Sequence, residues 1–242
     1  MLFVNKNPIQ SAVFVSVIFF ALFAYQAITQ VSHANSKSTV EQEIDSMVKK
    51  LKAKAPQIDN KVLRMAVTAY KNAHKKGKVK KPVLTVIDYS LPSSKKRMWI
   101  FDLKTNQVSY YTHVSHGKNS GGLKASSFSN TNGSKQSSLG TFVTADTYHG
   151  SNGYSLNLHG LEKGINNNAH ARRIVIHGAK YARKSFIDRN GYLGRSWGCP
   201  AVADHLAKPV IDKIKGGSVV FSYYPKQRFL AQSAFIRSTQ LA

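Results

Sequence analysis

Cys199 is the only cysteine in this chain, and it sits in Gly194-Arg195-Ser196-Trp197-Gly198-Cys199-Pro200. A lone thiol cannot form an internal disulfide, so it either packs as a small hydrophobe or reacts. The glycine-flanked turn favours reaction. Thiol attack on an amide needs a thiolate, a proton carrier, a group orienting that carrier, and donors for the oxyanion. A neighbouring imidazole supplies the first two by lowering the thiol pKa. His177 is the best base among nine histidines, because it ends the apolar run Ile174-Val175-Ile176, which reads as a rigid strand. The carbonyl of Gly178 can orient its ring. Gly198 permits a tight turn, which would aim the N–H groups of Gly198 and Cys199 at an oxyanion, and Ser196 would add a hydroxyl donor. Arg195 has the fork geometry to grip a substrate carboxylate, although a solvated arginine is the plainer reading. His116, in a glycine-flanked loop, is the other histidine expected near the thiol.

The elements that must position these groups begin after residue 34. Residues 1–34 read as an export signal: Lys6 is the lone charge, Val13 to Ala27 is apolar, and Ser32-His33-Ala34 is a small-x-small cleavage site. The run is short for a membrane span, so contact with a membrane is expected only if the signal stays uncleaved. The expected location is the periplasm or cell envelope. The 35 Lys and Arg against 11 Asp and Glu give a formal charge of +24. Such a charge attracts polyanions. Outside a cell these are anionic wall polymers, lipid head groups and wall-peptide carboxylates, and nucleic acid is not an expected partner.

Residues 35–58 are expected as an N-terminal helical segment, with Val40, Ile44, Met47, Val48 and Leu51 at helical spacing. A second helix runs from about Asn60 to His74, with a lysine-rich hinge to Pro82. Strands follow at Val83–Tyr89, Arg97–Leu103, Gln107–Val114, Gly140–Ala145, Tyr154–Leu158, Arg173–His177 and Ser218–Tyr224. Short helices are expected at Ala179–Phe186 and Pro209–Lys215. The polar stretch Ser115–Ser138 is long for a connection inside a domain, which marks it as a lid or substrate wall. The fold class is mainly β with flanking helices (α+β), a mixed sheet or sandwich spanning 59–225. Residues 226–242 read as a peripheral tail.

Ile176-His177-Gly178 followed by Gly194-x-Ser196-x-Gly198-Cys199 resembles the YkuD-like L,D-transpeptidases. Ser138-Leu139-Gly140-Thr141-Phe142 resembles a strand entry common in them. The likeness is closest to the murein L,D-transpeptidase catalytic domain family. It rests on Ile87-Asp88-Tyr89-Ser90-Leu91-Pro92-Ser93, His116-Gly117-Lys118-Asn119-Ser120-Gly121, Ser127-Phe128-Ser129-Asn130 and Gly160-Leu161-Glu162-Lys163-Gly164. That resemblance implies a nucleophile at Cys199, a base at His177, and peptidoglycan tetrapeptide stems as substrates. The terminal D-alanine leaves an acyl-enzyme, which an amine or water resolves, and no cofactor is implied. Trp197 stands where the wider family commonly has a histidine with a substrate or oxyanion role, and Ala201 where it often has arginine. Trp197 is therefore expected against substrate.

Two rival readings remain at this stage. His113 and His116, with His149 and His159, invite a metal. Positions three apart on a strand face opposite ways, and no acidic cluster joins them, so no metal is expected. A basic, exported β domain can also bind wall polymer without chemistry, but a pure binder gives no reason for a free thiol beside Ser-Trp-Gly. Hydrolysis by the same site, an L,D-carboxypeptidase, shares the acyl-enzyme and is not separable by sequence.

Overall fold

The computed structural model describes Tyr25 and residues 39–237. The expected export signal at 1–34 lies, Tyr25 apart, outside the described residues, as do residues 238–242. Among the described residues no helix is long and apolar enough to cross a membrane.

Helix α1 covers residues 39–54, and α2 runs Asn60–Lys75. Asp59 caps α2 by accepting from the Val62 N–H at 3.0 Å. Its buried face carries Leu63, Ala66, Val67 and Tyr70, three or four residues apart. Lys71 holds Glu43 at 2.7 Å, and Arg64 pairs with both Glu41 and Asp45, which fastens α1 to α2.

The strands are β1 (Val83–Asp88), β2 (Met98–Asp102), β3 (Gln107–Thr112), β4 (Gly140–Gly150), β5 (Gly153–Gly160), β6 (Val175–Ala179), β7 (Ala201–Ala203) and β8 (Val219–Tyr223). They form one mixed eight-stranded sheet in the order β3-β2-β1-β8-β4-β5-β6-β7. Only β1–β8 and β6–β7 are parallel. Helices α3 (Lys184–Asn190), α4 (Asp204–Ile214) and α5 (Gln227–Gln232) flank it. Beyond β3, Ser115 donates its N–H to Ala201 of β7 at 2.8 Å, so the two edges meet and the sheet curls toward a barrel.

Several expectations shift. Strand β7 went unread because Ala201–Ala203 is too short to show alternation. Helix α4 starts at Asp204, not Pro209, which it carries inside. Helix α3 starts at Lys184, after a 3₁₀ turn at Lys180–Ala182, and ends on Gly191 at φ 79°. The segment after Lys226 is not peripheral. Phe229, Ser233 and Phe235 are buried, Asn72 Nδ2 donates to the Phe235 carbonyl at 2.8 Å, and Ser233 donates to Glu162.

Candidate active site

Ser155 of β5 lies between Tyr148 of β4 and His177 of β6, and His177 lies opposite Ala201 of β7. Directly paired residues share a sheet face, so this row crosses four strands on one side. Two residues ahead of Ala201, Cys199 comes level with Val175, whose N–H faces its sulfur. The Cys199 Sγ also lies 3.5 Å from the Arg173 carbonyl. Thiol and imidazole are thus set by neighbouring strand positions in one register.

The imidazole Nδ1 of His177 is 3.0 Å from the Gly178 carbonyl. A carbonyl can only accept, so Nδ1 carries the proton and Nε2 keeps its lone pair. Burial holds this imidazole below its ordinary pKa, and burial pushes the Cys199 thiol up, against smaller opposing pulls from the Val175 N–H and Arg172. Both shifts favour the uncharged forms, whereas residue types alone suggest an ion pair. Proton transfer has to accompany attack.

Ser196 is buried and fully engaged. Its hydroxyl donates to the Cys199 carbonyl at 2.6 Å and accepts from the Gly198 N–H at 3.1 Å. It staples the turn instead of facing an oxyanion, and it occupies the Gly198 donor as well. The N–H groups of Trp197 and Cys199 carry no bond to another residue among the described residues. Those two are the donors left for an oxyanion. Gly198 has φ 126°, which few side chains tolerate.

His116 packs behind this turn. Its carbonyl accepts the Ser196 N–H at 3.0 Å, and Lys118 N–H returns to the Ser196 carbonyl at 2.7 Å. Its ring is fully buried, with Nδ1 2.8 Å from Arg97 Nη2 and Nε2 3.2 Å from the Gly121 carbonyl. Arginine can only donate, so Nδ1 accepts and Nε2 bears the proton. Burial, and then Arg97, lower this imidazole to about 4. His116 is a neutral strut, with no ring nitrogen left for substrate.

Arg97, buried and in no salt bridge among the described residues, though the buried Asp88 carboxylate favours its charge, was missed as a site residue. It donates to the carbonyls of Leu91 (2.8 Å) and Val114 (3.1 and 2.8 Å), and its guanidinium lies 5.0 Å from the Tyr89 ring. The only sequence signal was an arginine opening an apolar strand. Tyr89 is coupled in turn to Ser137, whose hydroxyl donates to the Gly198 carbonyl at 3.1 Å.

The stretch Ser115–Ser138 is a wall fixed in place. Gly117 abuts Gly198, where an added Cβ would lie 2.9 Å from its Cα. Half-buried Arg172 clamps the wall through the carbonyls of Ser129 (2.6 Å) and Gln136 (2.7 Å) and the Ser134 hydroxyl (3.0 Å). On the outer side Trp197 is 74% exposed, with Lys135 Nζ 4.7 Å from its ring centre. Arg195 is exposed, reaches the Gly121 carbonyl at 3.2 Å and lays its guanidinium 5.8 Å from the Tyr192 ring centre. Trp197 and Arg195 thus offer exposed surface on the turn that leads to the thiol, and Gly178 supplies its carbonyl to His177.

His113 and His116 have separate partners, His149 lies against Tyr154, and His159 stacks on His170. No group of three metal-ligating side chains converges among the described residues.

The sequence model of the L,D-transpeptidase catalytic domain matches residues 54–223, and the chain belongs to that family. No curated protein matches it. Among solved structures, an L,D-transpeptidase from Mycobacterium smegmatis is 15% identical, with 59% of each chain covered and a TM-score of 0.37. An LD transpeptidase in complex with imipenem is 14% identical, with 57% of each chain covered and a TM-score of 0.35. The L,D-transpeptidase from Xylanimonas cellulosilytica is 15% identical, covering 66% of this chain and 80% of that one, with a TM-score of 0.33. The matched part of the first two is under two thirds of their length.

Proposed function

We propose that the chain is an exported L,D-transpeptidase that cuts peptidoglycan tetrapeptide stems through a Cys199 acyl-enzyme. The observation that carries this is the protonation pattern of His177. With Nδ1–H spent on the Gly178 carbonyl, Nε2 keeps its lone pair for the thiol proton, and β6 pairs with β7 two residues after Cys199. Sγ attacks the carbonyl of the diamino acid while its proton passes to Nε2. The N–H groups of Trp197 and Cys199 receive the oxyanion. The C–N bond then breaks, Nε2–H protonates the departing D-alanine amine, and a thioester remains. An acceptor amine attacks the thioester, loses its proton to Nε2, and releases Sγ with the new amide.

Trp197 and Arg195 serve as outer contacts for the stems, and the positive surface holds the chain on anionic wall polymer. The test is mass spectrometry of purified muropeptides incubated with the protein. Crosslinked dimers and free D-alanine are expected. Tripeptide without dimer would make water the acceptor, and unchanged muropeptides would overturn the reading.

A further inference from the structure

A concavity opens on the strands that carry the catalytic row, where β4 and β5 meet the turn before β6. It is a groove of about 440 Å³ lined by Tyr148, Asn157, His170, Ala171 and Arg173. It is continuous with the catalytic row. Tyr148 belongs to that row through Ser155, and Asn157 lies opposite Val175, whose N–H faces the sulfur. Arg173 joins the groove to the reacting atom directly, since its carbonyl is the one that meets Sγ.

Three features make the groove a site for an anion. Arg173 is exposed and forms no ion pair among the described residues, whereas Arg64 and Arg183 are matched to acids. No acidic residue lines the groove. Arg173 also holds φ 53°, a left-handed conformation that non-glycine residues rarely adopt. Hydrogen bonds from Arg173 N–H to His170 and from Ile174 N–H to Ala169, both 2.9 Å, fix that turn. One consequence is that the carbonyl of Arg173 meets the thiol while its side chain lines the groove. The ring of His170 is held by His159, with centroids 4.4 Å apart and planes 13° apart.

Resting on the transpeptidase reading above, we propose that this groove binds the α-carboxylate of the leaving D-alanine. Arg173 would take both carboxylate oxygens, with the Asn157 amide as a further donor. The contact selects a stem that ends one residue beyond the attacked carbonyl, because a longer stem has no charge at that place. The terminal carboxylate is the one anion that every cleavable tetrapeptide must present there.

The experiment has two arms. In Cys199→Ala, calorimetry compares a tetrapeptide stem with its C-terminal amide. The free acid should bind at least about tenfold tighter, and adding Arg173→Gln should erase that difference, with Arg173→Lys retaining part of it. Equal affinities for acid and amide, or a difference that survives Arg173→Gln, would overturn the proposal. Loss of the difference in Arg195→Gln instead would place the carboxylate on the outer side. The second arm follows D-alanine release by the unsubstituted protein. Its failure would sink the transpeptidase reading by itself, since the binding comparison needs no turnover.

Discussion

Arg97 Nη2 meets His116 Nδ1 at 2.8 Å, two buried nitrogens whose roles leave only one arrangement of protons. The contact fixes the His116 tautomer, and the His116 main chain in turn carries Ser196. His116→Gln should lower stability and slow thiol alkylation while leaving a measurable base-dependent rate. Unchanged melting temperature and unchanged alkylation would remove His116 from the support of the turn.

The same pair predicts acid sensitivity. The His116 imidazole sits at about 4 in the fold against an ordinary 6.5, so the fold favours its neutral form. The stability this contributes is complete above pH 6.5 and is lost as pH falls through 4. At about 1.36 kcal/mol per unit, on the order of 3 kcal/mol is involved. Urea titrations between pH 7 and 4 should show a steeper decline for the unsubstituted chain than for His116→Gln. Parallel declines would assign the sensitivity to other groups.

Cys199→Ala should fold and release no D-alanine. His177→Ala should slow acylation by about 10²–10⁴-fold, the usual worth of a general base. Because burial disfavours the charged form of each group, iodoacetamide labelling of Cys199 should keep rising above pH 9 instead of levelling near neutrality. A plateau at pH 7 would show a resting ion pair.

Gly117→Ala should be severe, since its Cβ would lie 2.5 Å from the Lys135 carbonyl oxygen and 2.9 Å from Gly198 Cα. Backbone on both sides cannot step aside. Gly122→Ala, with nothing within 4 Å, should be silent. Comparing alkylation rates and melting temperatures of the two variants decides whether contact between wall and turn sets the thiol.

Salt should loosen retention on insoluble peptidoglycan far more than it slows turnover of a small muropeptide, because the Debye length shrinks to about 3 Å at 1 M. Equal loss of both would place the governing charge inside the site.

The strands, the long helix and the reactive turn were legible because each carries a local signature. Examples are the β-branched run before His177, the helical spacing of Leu63, Val67 and Tyr70, and the glycines around Ser196 and Cys199. The state of the site was not legible, because burial sets it. Residue types expected a charged thiol–imidazole pair, whereas burial disfavours the charge on each group. Ser196 looked like a spare donor, but its hydroxyl is consumed by groups two and three residues away. Arg97 gave no clue because three of its hydrogen bonds go to main-chain carbonyls, which have no sequence identity, and its side-chain partners Tyr89 and His116 lie far from it in the chain. The tail misled through its polar composition, which hides the contribution of Phe229 and Phe235. Phe235→Ala should cost about 3–5 kcal/mol in urea unfolding, because the ring belongs to the core cluster.

The central strand β1 is flanked by β2, its immediate successor, and by β8, near the end of the chain. Ile44 and Phe235 belong to the same core cluster. Native structure therefore depends on pairings between distant stretches, an ordering that folds slowly because loop closure precedes most of the gain. A chain emerging from its N-terminus can shape α1, α2 and the β1–β2 hairpin, yet cannot complete the sheet until β8 and the tail arrive. Until then the β4–β7 half, which carries both Cys199 and His177, is not joined through β8 to the β1–β3 half that carries Arg97.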